Sequence, residues 1–339
     1  MEELIEEILR FPPHDPALLV HAALVCKQWC RLVLGAGFQR RFREFHRTPP
    51  MLGFLYSSLS YCSKPKPKFV RIAASCPPIA HLSHCWMVID ARHGRVQLAE
   101  PEKNALVIWD PITDHQRRLP FPKQPSQSLV TWSAAVLCTA HGSCDHLDCH
   151  NSSRSSFLVV FACSCTSETI ICTYSSDTAT WSRWSDSIYT HQQSSGYVQP
   201  FMPRALVGNA LYFGFYQRGR IMILKYELES HEQSAIDLPP LLENGTIDVH
   251  IITLDGGLGL ATQRESKLYM WSRKDGLLGV DAGWTQTRVI DLQMMFRSNA
   301  TLTLRPDVAG VADDIGVIFL RTRTDDSATT YTFDLRPIR

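Results

Sequence analysis

Short apolar runs that end in an aromatic residue recur along most of this chain, and they constrain its fold more than any other feature. Five such residues follow one another at intervals of 45 to 65 residues: Trp109, Tyr174, Tyr226, Trp271 and Phe333. After each of the first four come a polar turn and another short run. Four short antiparallel strands per repeat are typical of a β-propeller, and an irregular pair of β-sandwiches is the alternative.

The last repeat has one strand fewer than the others. The early run Met51–Tyr56 would supply this strand and close the ring, which removes exposed sheet edges. The sequence therefore predicts a mainly β chain with six blades after a small helical module. Lys64–Lys68, with its two prolines, is predicted to be a loop.

The residues before Pro49 have helical periodicity instead. Four apolar residues between positions 4 and 9 share one helical face, and a proline pair ends that helix. Asp15 and Pro16 suit the start of a second helix, and a third apolar stripe runs from Leu24 to Val33. Helices of about ten residues are not stable alone. An apolar face is therefore expected to remain, either for a partner or for the domain that follows.

This segment resembles an F-box over residues 1–46. Its motifs are Leu-x-Glu-Glu-Ile-Leu-x-x-Pro-Pro-x-Asp-Pro from residue 4, Leu-Val-Cys-Lys-x-Trp-x-x-Leu from residue 24, and Phe-x-x-x-Phe from residue 38. The resemblance implies a three-helix module that binds the Skp-type adaptor and, through it, the cullin scaffold of a ubiquitin ligase. It implies adaptor contacts for ten residues: Leu4, Ile5, Ile8, Leu9, Pro13, Leu24, Val25, Cys26, Trp29 and Leu32.

The F-box pattern is not complete. Members of the family usually begin with a Leu-Pro dipeptide upstream of these motifs, and Cys30 stands where an arginine often follows the tryptophan. The F-box is therefore expected to be truncated at its N-terminus. An alternative function follows: a propeller module for protein binding, with weakened or lost adaptor binding and no place in a ligase.

The repeats at residues 47–339 resemble the F-box-associated region of plant F-box proteins, particularly those of grasses. Val-Ile-Trp-Asp-Pro-Ile-Thr at 107–113 and Gly-Trp-Thr-Gln-Thr-Arg-Val-Ile-Asp-Leu at 283–292 carry the resemblance. It implies that this domain binds an unidentified target protein. The chain would then be the non-catalytic substrate-recognition subunit of an SCF-type cullin-RING ligase.

No motif predicts catalysis, a cofactor or a metal site. Cys144, His146, Cys149 and His150 offer soft ligands, but their spacing does not match common zinc sites, which favours a polar loop. Gly256–Gly259 lacks the helix that a nucleotide site needs, so it indicates a tight turn. Tryptophans such as Trp132, Trp181, Trp184 and Trp284 are predicted to pack within blades rather than to anchor a target.

Charge and cysteine content limit the expected cellular compartment and binding partners. The net charge is +1, which predicts neither a nucleic-acid nor a membrane partner. The basic cluster at 40–47 is interpreted as a solvated helix face. The acidic N-terminus does not resemble a secretory signal, and eleven irregularly spaced cysteines favour a reducing compartment. We therefore expect an intracellular protein of the cytoplasm or nucleus.

Overall fold

The computed structural model begins with four helices: α1 (Glu2–Arg10), α2 (Pro16–Val25), α3 (Lys27–Leu34) and α4 (Ala36–His46). They occupy the predicted segment, and the fourth, which carries the phenylalanines, makes the module one helix longer than the predicted three. The structure describes residues 2–10, 16–46, 53–60, 63–71, 82, 86–111, 113–123, 131–139, 156–164, 168–185, 188–189, 197–198, 204–217, 220–242, 249–274, 283–293, 307–312, 316–323 and 328–334.

The rest of the described chain is almost entirely β-strand. The strands are β1 (Gly53–Ser60), β2 (Ser63–Arg71), β3 (Met87–Arg92), β4 (Arg95–Glu100), β5 (Ala105–Trp109), β6 (Gln116–Pro120), β7 (Thr131–Cys138), β8 (Phe157–Ser164), β9 (Glu168–Ser175), β10 (Thr180–Trp181), β11 (Ile188–Tyr189), β12 (Tyr197–Val198), β13 (Ala205–Val207), β14 (Ala210–Gln217), β15 (Arg220–Glu227), β16 (Gln233–Asp237), β17 (Val249–Leu254), β18 (Gly257–Arg264), β19 (Lys267–Arg273), β20 (Trp284–Asp291), β21 (Asp307–Ala312), β22 (Val317–Arg323) and β23 (Ala328–Asp334).

These strands form five blades in chain order, all antiparallel. The blades are β3-β4-β5-β6, then β7 to β11, then β12 to β16, then β17-β18-β19-β20, and finally β21-β22-β23. The prediction of six blades is wrong for the described residues. β1 does not complete the last blade, because it pairs with β2 in a separate two-stranded sheet.

The β1–β2 sheet also overturns the predicted loop at Lys64–Lys68. These residues lie in β2, where Pro67 is opposite Ser57 and Lys66 is opposite Ser58. Proline is tolerated in a strand at the edge of a sheet, and both strands of a two-stranded sheet are edges. Only residues 61 and 62 separate the two strands, so pairing within the hairpin closes a very short loop.

The described residues belong to two compact units. The first contains those up to residue 88 together with 93–119, and the second contains 89–92 and those from residue 120 onward. The helices and the β1–β2 sheet lie in the first unit, and the four blades from β7 onward lie in the second.

Alternating side chains fill the space between successive blades of the second unit. On β14, Leu211, Phe213 and Phe215 pack with Val160 and other residues of the preceding blade. The intervening residues of β14, Ala210 and Tyr212, pack towards the following blade with Ile251 and Leu260. Because successive side chains of a strand point to opposite faces, one strand contributes to two cores.

Side-chain hydrogen bonds join the outer strands of three blades to the preceding blade. The indole N–H of Trp284, at the start of β20, donates to the carbonyl oxygen of Asp237, the last residue of β16, at 2.8 Å. Gln233, at the start of β16, donates its amide N–H to the Ser185 hydroxyl. Trp181 of β10 donates to the Pro120 carbonyl at 3.1 Å. Three successive blades therefore each use a side chain of the outer strand as such a donor.

A buried polar network lies deeper in the second unit. The guanidinium of Arg204 donates to the Ser133 hydroxyl at 2.9 Å and to the carbonyl oxygen of Ile89. Arg92 donates to the carbonyl oxygen of Arg204 and forms an ion pair with Asp90 at 3.3 Å. Burial lowers the pKa of Arg204 to about 10, so the side chain remains charged at neutral pH.

Replacing Arg204 should destabilise the second unit strongly. Arg204→Met keeps an apolar stem but leaves the Ser133 hydroxyl and the Ile89 carbonyl without this donor. Each buried group left unsatisfied costs about 1–3 kcal/mol, so we expect a loss of about 3 kcal/mol in the free energy of unfolding. Urea unfolding, monitored by tryptophan fluorescence, measures this free energy. Arg183→Met, at an exposed arginine, is the control and should change stability by less than about 0.5 kcal/mol.

Trp284→Phe tests the inter-blade hydrogen bond separately from aromatic packing. Phenylalanine keeps a ring on β20 but loses the N–H that Asp237 accepts, which should cost about 1 kcal/mol. The same urea unfolding measures this loss, and we expect the dependence of the free energy of unfolding on urea concentration to stay unchanged. An equal loss from Tyr269→Phe on the neighbouring strand β19, which also removes one polar atom, would show that the Asp237 contact has no special role.

Candidate functional site

The helical module has a small core of its own. Leu9 of α1 and Phe38 of α4 are buried, and the Phe38 and Phe42 ring centroids lie 5.8 Å apart. The Arg41 guanidinium of α4 donates to the carboxylate of Glu6 on α1, and this hydrogen bond raises the pKa of Arg41. The bond between Arg41 and Glu6 joins the first and last helices.

Exposed apolar side chains are concentrated on this module. The structure describes nine exposed large apolar side chains, and eight of them lie on the helices: Leu4, Ile8, Leu18, Val20, Leu24, Val25, Leu34 and Phe45. Leu24 is 78% exposed and Leu4 is 66% exposed. Apolar groups concentrated on a small exposed surface typically mark a site of protein interaction.

Helix α2 contributes half of this exposed apolar set. His21 is the only polar residue in its sequence PALLVHAALV. Leu19, Ala22 and Ala23 are half-buried on one side, whereas Leu24 and Val25 project from the other. A helix that is apolar all round is normally buried. The exposed side of α2 is therefore the strongest candidate for a surface that another protein covers.

The ten predicted adaptor contacts fall into distinct environments. Leu4, Ile8, Leu24, Val25 and Cys26 are exposed. Ile5, Trp29 and Leu32 are half-buried.

The remaining two of the ten are Leu9 and Pro13. Leu9 is only 5% exposed, so it packs inside the module, and its role as a contact residue stays a prediction. The periodic pattern could not separate the two roles, because Leu9 lies on the same helical stripe as Ile5 and Ile8. Pro13 lies outside the described residues.

Cys26 has a local structural role at the junction of α2 and α3. Its backbone is extended, with φ −159° and ψ 164°, and its Sγ accepts a hydrogen bond from the Trp29 N–H at 3.5 Å. It is therefore the N-cap of α3. At the other end, the N–H of Gly35 donates to the Leu32 carbonyl. These two caps fix α3 as a short, eight-residue helix.

A groove between α1, α3 and α4 was not predicted. Lys27 and Arg31 of α3, Arg41 of α4 and Glu6 of α1 line it. In the basic cluster at 40–47, which was interpreted as a solvated helix face, Arg40 and Arg41 are exposed. Arg41 bonds to Glu6, and Arg40 bonds to Glu44 at 2.8 Å. The four-residue spacing of Lys27 and Arg31 in the sequence was the signal for a charged face on α3.

The tryptophans weighed as target anchors take part in internal contacts. Trp132 stacks on Phe161 with 5.4 Å between ring centroids, and the Trp184 indole N–H donates to the Lys123 carbonyl at 2.9 Å. With the Trp181 and Trp284 hydrogen bonds, these contacts agree with the blade-packing interpretation.

Few groups in the described chain offer reactive chemistry. Among the described residues, no three His, Cys, Asp or Glu side chains are grouped to hold a metal ion, and the Cys144–His150 loop lies outside them. Burial raises the pKa of the Cys172 thiol, and the nearby Cys163 raises it further, so Cys172 stays protonated. Asp255 and Gly256 have positive φ and form the turn between β17 and β18. Of the turn predicted at Gly256–Gly259, only Gly256 lies in it, because Gly257–Gly259 belong to β18.

None of the helices that the structure describes combines the length and the apolar character needed to cross a bilayer.

The capping role of Cys26 leads to a prediction. Cys26→Ser keeps a hydrogen-bond acceptor at the N-cap, whereas Cys26→Ala removes it. We expect the alanine variant to be about 1 kcal/mol less stable locally than the serine variant. Amide hydrogen exchange of α3, measured by mass spectrometry on the full chain, reports this difference. Equal protection in both variants would contradict the capping role.

The solved structures that this chain resembles share little sequence with it. A luciferin-regenerating enzyme is 9% identical, with a TM-score of 0.40, over 74% of this chain and 72% of the other. A Lactobacillus plantarum protein is 10% identical, with a TM-score of 0.41, over 83% and 81%. Regucalcin, a calcium-binding protein of Agrobacterium tumefaciens, is 16% identical, with a TM-score of 0.35, over 73% and 70%. No curated protein matches the chain.

One protein family matches most of the chain. The profile described as "F-box protein AT5G49610-like, beta-propeller" aligns with residues 87–328, which begin in β3 and end in β23. The match therefore covers the blades up to the first residue of their last strand and leaves out the helical module. The chain belongs to the family of F-box protein AT5G49610-like β-propellers.

Proposed function

We propose that this chain is the substrate-recognition subunit of an SCF-type cullin-RING ubiquitin ligase. The helical module at residues 1–46 is its F-box and binds a Skp-type adaptor, which connects it to the cullin. The β domain binds a target protein. The protein works inside the cell, in the cytoplasm or nucleus, and needs neither a cofactor nor a nucleic-acid or membrane partner.

The exposed side of α2 is the observation that supports adaptor binding most directly. Leu24 and Val25 are 78% and 65% exposed and belong to the motif that resembles an F-box. Full burial of a leucine or valine side chain contributes about 1.5–3 kcal/mol. A partner that covers Leu24, Val25 and their exposed neighbours would therefore gain much of the free energy of a micromolar complex, which is about 8 kcal/mol.

In this proposal the chain accelerates ubiquitin transfer without chemistry of its own. A receptor that holds a target lysine beside a ubiquitin-charged enzyme makes an intermolecular reaction effectively intramolecular. The gain depends on the effective concentration of the lysine, which the geometry of the assembly sets. The chain's own residues need only bind two partners at once. The loops that connect the blade strands are the natural place for binding of the target protein.

Truncating Leu24 and Val25 tests the adaptor-binding surface. The double variant Leu24→Ala/Val25→Ala removes exposed apolar groups while alanine preserves helix propensity. Losing about five buried carbon groups at about 0.8 kcal/mol each, partly offset by residual contact, should weaken adaptor binding about 100-fold. Isothermal titration of the full chain with a purified Skp-type adaptor measures the affinity.

The matched control is Val289→Ala, because Val289 is an exposed valine on β20 and lies outside the helical module. It should bind the adaptor as the wild type does. Thermal unfolding should be unchanged in all variants, since the truncated side chains are exposed. If the folded wild type does not bind the adaptor at all, the protein is instead a propeller binding module outside the ligase.

A further inference from the structure

The groove beside α2 carries an excess of positive charge. Lys27, Arg31 and Arg41 face one carboxylate, that of Glu6. Arg41 already bonds to this carboxylate, so Glu6 does little to neutralise the other two cations. Lys27 and Arg31 are exposed, and the described residues provide neither of them with an ion-pair partner.

The position of Lys27 is unfavourable for the isolated helix, whereas Arg31 lies in the last turn, where the macrodipole favours a cation. Lys27 is the first residue of α3, directly after the Cys26 N-cap, where the helix macrodipole favours a negative charge. Helix α3 has no acidic residue in its first turn. Arg31 lies four residues later on the same face, so two like charges repel each other. An anionic group in the groove would relieve both effects.

The groove is continuous in sequence with the apolar surface. Leu24 and Val25 end α2, Cys26 caps α3, and Lys27 follows at once. A partner that covers the exposed side of α2 at its end therefore also reaches the start of α3. Apolar burial near Leu24 and charge pairing at Lys27 would act in one interface.

We propose that this groove binds acidic side chains of the same adaptor polypeptide, an inference that rests on the proposed function. The charge pairs lie at an exposed rim, so their main effect is on the rate of encounter and on its salt dependence. Lys27 and Arg31 are recognition residues in addition to the apolar contacts. Arg41 positions α1 against α4 through Glu6.

The variant Lys27→Glu separates recognition from stability. Glutamate at the first helical position should favour α3 through the macrodipole, while it repels an acidic partner. We expect the association rate constant with the adaptor to fall about tenfold at about 50 mM salt, with a smaller change in dissociation. The difference should largely vanish at about 500 mM salt, where screening acts within about 4 Å. Surface plasmon resonance on the full chain measures both rate constants.

Arg40→Glu is the matched control, because it makes the same charge change at an exposed residue that does not line the groove. It should stay within twofold of the wild type. Equal losses from both variants would indicate a general charge effect and overturn the inference. The inference is also wrong if the wild-type chain binds the adaptor and Lys27→Glu has the same association rate constant as the wild type at low salt. That result leaves the proposed function intact.

A failure of the proposed function gives a different result. If the wild-type chain does not bind the adaptor at any salt concentration, both proposals fall together. A random-sequence oligonucleotide provides the remaining test of the groove. If it binds the wild type and Lys27→Glu abolishes that binding while adaptor kinetics are unchanged, the groove serves nucleic acid and the inference is wrong.

Discussion

The packing of one blade against the next is the constraint on which the second unit depends. Each central strand must supply apolar side chains to both faces of its sheet, as β14 does with Phe213 on one side and Tyr212 on the other. Val159, Val160 and Phe161 of β8 are accordingly all fully buried. Such strands have no free face for binding. Function in this architecture is therefore confined to loops, sheet edges and added modules, which makes the exposed helices at the N-terminus important.

The few polar groups inside the second unit are held in place by each other. Arg204 connects the Ile89 carbonyl of β3 with the Ser133 hydroxyl of β7, and Asp90 accepts a hydrogen bond from the backbone N–H of Val136 at 3.2 Å. A buried network of this kind stabilises weakly in total but penalises any misaligned arrangement of strands. Apolar packing sets the spacing of the blades, and these directional bonds select one register among those that apolar contacts would allow.

Local patterns predicted the strands well and their pairing less well. The apolar runs that end at Trp109, Tyr174, Tyr226 and Trp271 are β5, β9, β15 and β19, since burial on both faces leaves a clear trace in sequence. The predicted number of blades was wrong because the composition of a strand does not determine which strand it pairs with. From sequence, β1 could pair with the last blade or with β2. The shorter connecting loop favours pairing with β2. The Arg204 network was beyond prediction, as its partners lie 71 and 115 residues away.

The helical module differs from the blades because local preferences and tertiary structure disagree there. In the blades, β-forming residues lie in strands and their apolar groups are buried. In the module, α2 exposes Leu24 although it is apolar all round, and α3 begins with Lys27 where a carboxylate would be favoured. Both disagreements lie within four residues, at a single helix junction. Natural sequences break such rules mainly where function requires it. An apolar, acidic partner surface would remove both costs at once, whereas docking onto an apolar part of this chain would remove only the first.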